Sequence, residues 1–166
     1  MQYNSAKEKF ISSWGEFGIN WGINKTMGQI HGLLLLAPKA LCADEVMKDL
    51  KISRGNANMN INALVEWGLL QKVEVKGDRK DYFFADKDFW SIFKKIIEQR
   101  KQKELDPMVG LLQELSSVDG VCNESKEFCK IVKELSLFSN RADAALNNMI
   151  QSKNNWLLGA YMKMVR

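Results

Sequence analysis

Between Ser53 and Lys80 the hydrophobic period of the sequence changes, and that change limits the folds open to the chain more than any other feature. Ala57, Ile61, Leu64 and Val65 recur at four, three and one, the spacing of one helical face. Ser53 precedes them as a favoured N-cap, and Gly68 follows where a left-handed C-cap belongs. A second pattern competes, because Asn56, Asn58, Asn60 and Asn62 alternate with Ala57, Met59, Ile61 and Ala63 in the period of a strand. Asparagine and alanine are poor strand formers, so the cap, the glycine and the continuing helical spacing favour a helix over 53–67. Beyond Gly68, residues 69–75 are rich in leucine and valine, Gly77-Asp78 supplies turn chemistry, and Tyr82, Phe83 and Phe84 resume an extended pattern. A β-hairpin is expected there, and its tip, Lys76-Gly77-Asp78-Arg79-Lys80, holds three cations in five residues.

The flanks add helices. Phe10, Trp14, Phe17 and Trp21 fall at four, three and four, which predicts a short aromatic helix weakened by Gly15 and Gly18 and broken near Gly18 to Gly22. A second, buried helix is expected over 26–37, with Thr26 as N-cap and Pro38 at its end. A short helix over 44–50 turns Val46, Met47 and Leu50 inward. Residues 86–105 read as one long amphipathic helix with Phe89, Trp90, Phe93, Ile96 and Ile97 on one face, ended by Pro107. Helical spacing then repeats in Val109, Leu112 and Leu115, in Phe128, Ile131, Val132, Leu135 and Phe138, and in Met149, Ile150, Leu157 and Tyr161. Asp119-Gly120 and Ser139-Asn140 are the expected interruptions.

Helix, tight turn, helix, then a hairpin with a basic tip is the winged helix-turn-helix arrangement, whose second helix enters the major groove while the wing touches backbone or minor groove. The expected fold is therefore mainly α with a small β-hairpin wing. Residues 1–85 would form a DNA-binding domain with the aromatic helix at its start, and residues 86–166 a helical dimerisation region. The C-terminal helices carry more apolar face than a chain of 166 residues can hide, which points to a second copy packing there.

Charge agrees with that reading. The net charge is +4, and the whole excess lies in residues 51–105, where twelve basic side chains face eight acidic ones. A localised positive segment on a shape that can enter a groove attracts a polyanion. Other classes lack support. No apolar run approaches the roughly 18 residues that cross a bilayer, and the polar start of the chain has no secretory-signal pattern, so a cytoplasmic location is expected. Cys42, Cys122 and Cys129 form no CxxC pair, and the single histidine, His31, completes no zinc site with them. Without GxSxG, HExxH, a P-loop or a nucleotide-binding glycine motif, neither an enzyme nor a metal or other cofactor is expected.

Setting Ala57, Ile61, Leu64 and Gly68 toward the core places Gly55, Met59, Asn62 and Glu66 opposite, Asn56 and Ala63 beside them, and Asn58 and Asn60 on the flanks. Asparagine pairs bidentately with adenine, which makes Asn56, Asn60 and Asn62 base-edge candidates, with Asn58 beside them and Met59 against a thymine methyl. Ser53 and Arg54, at the helix N-terminus, suit phosphate. Lys76, Arg79 and Lys80 are the wing contacts. Trp14, Phe17 and Trp21, with Tyr82 or Trp90, are candidates for an effector site that would cage a quaternary ammonium compound; core packing explains the same residues. His31 reads as a buried, hydrogen-bonded histidine before it reads as a pH sensor, and Cys122 and Cys129 as inert thiols before a redox pair.

The run from Phe17 to Leu105 resembles the GbsR family, a branch of the MarR-like winged-helix transcriptional regulators. The resemblance is carried by Gly18, Met27-Gly28-Gln29-Ile30-His31-Gly32-Leu33-Leu34, Ala43-Asp44-Glu45-Val46, Ile52-Ser53-Arg54-Gly55-Asn56-Ala57-Asn58-Met59-Asn60, Leu64-Val65-Glu66-Trp67-Gly68-Leu69-Leu70, Val75-Lys76-Gly77-Asp78-Arg79-Lys80 and Asp88-Phe89-Trp90. It departs from the family in holding Asn58 where such helices commonly carry serine, and in having no arginine or lysine between Gly55 and Trp67. The resemblance implies a homodimeric DNA-binding regulator, and a choline-like effector would suit it. Repression by occupying a pseudo-palindromic operator is the expected mode of action. A rival from another class is an adaptor whose winged helix binds protein, since the fold serves both purposes.

Overall fold

The computed structural model describes residues 2–118 and 122–152. Asp119-Gly120, Leu157 and Tyr161, named above as an interruption and as part of a last apolar face, lie outside the described residues. The elements run α1 (Tyr3–Asn20), α2 (Lys25–Leu36), β1 (Leu41–Cys42), α3 (Ala43–Leu50), α4 (Arg54–Glu66), β2 (Leu70–Glu74), β3 (Asp81–Ala85), α5 (Phe89–Arg100), a π-helical turn (Lys101–Leu105), α6 (Asp106–Leu115) and α7 (Asn123–Gln151). The chain divides into two compact units, Met1–Lys95 and Ile96–Arg166.

In the first unit the aromatic spacing does produce α1, but Gly15 and Gly18 bind it to α2 rather than merely weakening it. A Cβ on Gly28 of α2 would lie 2.9 Å from Gly15 Cα, so glycine lets the two backbones touch. The cap of α2 is Asn24, not Thr26: Asn24 Oδ1 accepts from the Met27 N–H at 2.8 Å, and the helix begins one residue later. The α3 start is closed by Glu45, whose carboxylate accepts from the Cys42 N–H at 2.8 Å.

The period-two pattern of asparagines does not make a strand. Ser53 Oγ accepts from the Asn56 N–H at 3.3 Å, α4 follows, and Gly68 closes it at φ 67. Ala57, Ile61 and Leu64 are buried by it against Ile30, Leu33, Leu34, Val46, Leu69 and Leu70, all at 2% exposure or less. These side chains form the core that fixes α4 on the domain.

The wing is a three-stranded antiparallel sheet ordered β1-β3-β2, with Leu41 opposite Phe83 and Val73 opposite Tyr82. The hairpin was expected and β1 was not, because two residues between a proline and a helix carry no period. The mainly helical fold with a small hairpin wing is borne out.

The expected single helix over 86–105 is instead α5, the π-helical turn and α6, with Pro107 inside the first turn of α6. Proline offers no N–H and crowds the carbonyl four residues back. The wide turn before it, where the Asp106 N–H bonds the Lys101 carbonyl, carries the helix past that point. Ile92 and Ile96 supply the buried face, while Phe89 and Phe93 are 64% and 46% exposed, contrary to the expected stripe. In the second unit α7 runs unbroken through Ser139-Asn140, again contrary to expectation. Ser139 is buried there with its hydroxyl 3.7 Å from Met108 Sδ, so it packs instead of breaking the helix. Lys101 ties the unit together, its ammonium 2.8 Å from both Asp106 and Asp143. No helix among the described residues is long and apolar enough to cross a membrane.

Candidate nucleic-acid interface

The core contacts of α4 leave its other side open. Arg54, Gly55, Asn58, Met59 and Asn62 are exposed, Met59 at 62%, and Ser53 is exposed at the cap. Asn56 is half-buried. At 13 residues the helix is about 20 Å long, enough to lie along a major groove. Asn58 and Asn62 face an open groove that continues to Asp44 at the start of α3 and to Lys80 and Phe83 of the wing.

Asn60 corrects the expectation from sequence. It is 1% exposed, and its Oδ1 accepts from Asn24 Nδ2 at 2.7 Å while its Nδ2 donates to the Asn56 carbonyl at 2.8 Å and to Asn56 Oδ1 at 2.6 Å. A side chain so occupied holds α4 to the start of α2 and does not face a base. The same side chain thus takes one lone pair of Asn56 Oδ1.

The wing loop is closed by an Asp78 N–H to Val75 carbonyl bond at 3.0 Å, with Gly77 at φ 92. Asp78 then accepts from the Lys80 N–H at 3.0 Å and from the Tyr82 hydroxyl at 2.9 Å. Those bonds hold its carboxyl below the usual carboxylate range, and the same carboxylate pushes the Tyr82 phenol up. Lys76, Arg79 and Lys80 are all exposed around this loop. Lys80 is paired, however: its Nζ lies 2.9 Å from Asp44, which also meets Arg54 at 3.3 Å. The hydrogen bond and charge of Lys80, with Arg54 adding to them, keep the Asp44 carboxyl low. Asp44 escaped sequence reasoning as part of this face, and so did the bond between Tyr82 and Asp78 that braces the wing loop. The signal available was an acid at the start of the first helix of a helix-turn-helix, opposite two cations.

The effector candidates are not brought into one cage. Trp14 stacks on Phe10 and meets Trp21 edge-on, both at 5.3 Å between ring centres. Phe17 is 54% exposed, Tyr82 belongs to the wing, and Trp90 packs against Phe93 at 5.6 Å. His31 is 1% exposed and its Nδ1 accepts from the Trp14 indole N–H at 3.1 Å. Burial first, then the charge of Lys95, lowers its pKa to about 4 against the opposing pull of Asp86, so it is neutral at physiological pH. Cys42, Cys122 and Cys129 are free thiols; Cys122 caps α7 against Ser125, and the Cys129 thiol donates to the Val118 carbonyl. Among the described residues no three His, Cys, Asp or Glu side chains group to hold a metal ion.

No family model matches the chain. The HTH-type transcriptional repressor GbsR of Bacillus subtilis is 24% identical over 109 residues, 66% of this chain and 60% of that protein. This chain is similar to the GbsR-type regulators. The GbsR-like resemblance drawn from residues 17–105 is thereby borne out, and the match reaches three fifths of the length of that repressor. The HTH-type transcriptional repressor OpcR of the same organism is 22% identical over 141 residues, 74% of this chain and 76% of that protein. A crystal structure of a transcriptional regulator superposes with a TM-score of 0.61 at 20% identity, covering 89% of this chain and 99% of the other, which shows the fold.

Proposed function

We propose that the chain is a sequence-specific DNA-binding transcriptional regulator, that it works as a homodimer, and that it represses by occupying an operator. The observation that carries this reading is the outward face of α4, where Arg54, Asn58, Met59 and Asn62 stand exposed beside a basic wing while the opposite face is locked in the core. Asn58 and Asn62 supply paired donors and acceptors for base edges, Met59 an apolar contact for a thymine methyl, and Ser53, Arg54, Lys76, Arg79 and Lys80 the phosphate contacts. A dimer suits the second unit, where Leu111, Ile131, Leu135, Leu137 and Phe138 are each 45% or more exposed on α6 and α7. Two recognition helices about 34 Å apart would then read a pseudo-palindrome. Repression is favoured because GbsR and OpcR are both transcriptional repressors. Residues 1–85 would carry the DNA contacts and residues 86–166 the dimer contacts.

A fluorescein-labelled duplex of mixed sequence, titrated with the protein at several salt concentrations and read by anisotropy, tests the reading. Binding that weakens linearly in log–log form as salt rises supports it. Absence of binding at low salt by folded protein overturns it.

A further inference from the structure

Asp44 stands in the first turn of α3, where a carboxylate suits the helix dipole. It is the second residue of α3, yet its Oδ1 lies 3.3 Å from Arg54 Nη2 at the start of α4 and its Oδ2 lies 2.9 Å from Lys80 Nζ at the end of the wing loop. One carboxylate thus ties together the two cations that flank the groove lined by Asn58 and Asn62. The side chains of Arg54, Lys80 and Asp44 are 74%, 54% and 48% exposed, and ion pairs this open to water add little to folding. What they do change is the supply of donors. A carboxylate and a phosphate oxygen accept from guanidinium and ammonium groups in the same way, so whichever is present takes the donors.

We propose that Asp44 is a built-in competitor for the DNA backbone, occupying Arg54 and Lys80 in the free protein so that a phosphate must displace it before either cation can hold the duplex. This rests on the DNA-binding reading above. Asp44 subtracts the same amount from binding to every sequence, because phosphates are the same everywhere, and it thereby shortens the time spent on random DNA. Arg79, on the same loop, has no such acid among the described residues and stays available for the first encounter.

The test is the affinity of Asp44→Asn for two unrelated duplexes over a salt series, beside the wild-type chain and Asp49→Asn. The second variant adds the same charge to α3, but Asp49 pairs with Lys7 of α1 at 3.5 Å, not with α4 or the wing. Asp44→Asn is expected to bind both duplexes on the order of five to ten times more tightly at each salt concentration, with a log–log slope close to that of the wild type, since in either complex the same two cations meet phosphate. Asp49→Asn is expected to bind both duplexes as the wild type does. An unchanged or weaker Asp44→Asn would overturn the proposal, because Asp44 would then be orienting the cations. An equal gain from Asp49→Asn would also overturn it, reducing the effect to net charge. Wild-type protein that binds no duplex at low salt removes the DNA reading itself, and this proposal with it.

Discussion

His31 and Asn60 are two polar side chains in the core, and each carries a prediction. With its folded pKa near 4 and an unfolded value of 6.5, His31 binds its proton only in the unfolded chain across that window. Stability is therefore full above about pH 6.5 and falls as the pH drops toward 4, by about 2 kcal/mol at pH 5 and about 3 kcal/mol at the limit. Urea denaturation at pH 7 and pH 5 measures it, and because His31 is the single histidine, His31→Gln should be nearly flat over the same interval. Asn60→Ala strands the Asn24 amide and both Asn56 oxygens, at a cost of about 2 kcal/mol, whereas the exposed Asn58→Ala should stay within about 0.5 kcal/mol. Equal losses from the two would contradict the burial of Asn60. Half of this was legible in the sequence: Asn60 stands three after Ala57 and four before Leu64, inside the buried stripe. Its partner Asn24 lies 36 residues away, and periodicity carries no information about so distant a contact.

At the scale of elements, α4 and the hairpin were readable because each has its own signal: a cap, a period, a stop and a turn. The strand β1 and the passage from α5 to α6 were not. A two-residue strand exists only because β3 offers it an edge, and Pro107 stops a helix only if the turn before it cannot widen. The wing yields the element-scale prediction. Arg79→Ala should weaken binding to all duplexes alike and flatten the log–log salt slope by about 0.9, the loss of one phosphate contact. Lys80→Ala should cost less affinity, since Asp44 already holds that ammonium in the free protein. Anisotropy titrations across the salt series decide it; a sequence-dependent loss from Arg79→Ala would mean that the wing reads bases.

For the whole molecule, helical spacing beyond Met108 pointed to surplus apolar face on the C-terminal helices. The structure puts it on α6 and α7, where Leu135 and Phe138 are 47% and 72% exposed. Replacing both by glutamine should leave the helical content unchanged and shift sedimentation from dimer to monomer; wild-type protein that sediments as a monomer would leave this face to another partner. Dimerisation and base reading come together in one measurement. Incubating the protein with randomised duplex DNA at physiological salt, selecting the bound molecules over several rounds and sequencing them reads the preferred site directly. Enrichment of an inverted repeat with half-sites about one helical turn apart is the predicted result. Retention without any enriched sequence, by folded and dimeric protein, would contradict sequence-specific regulation.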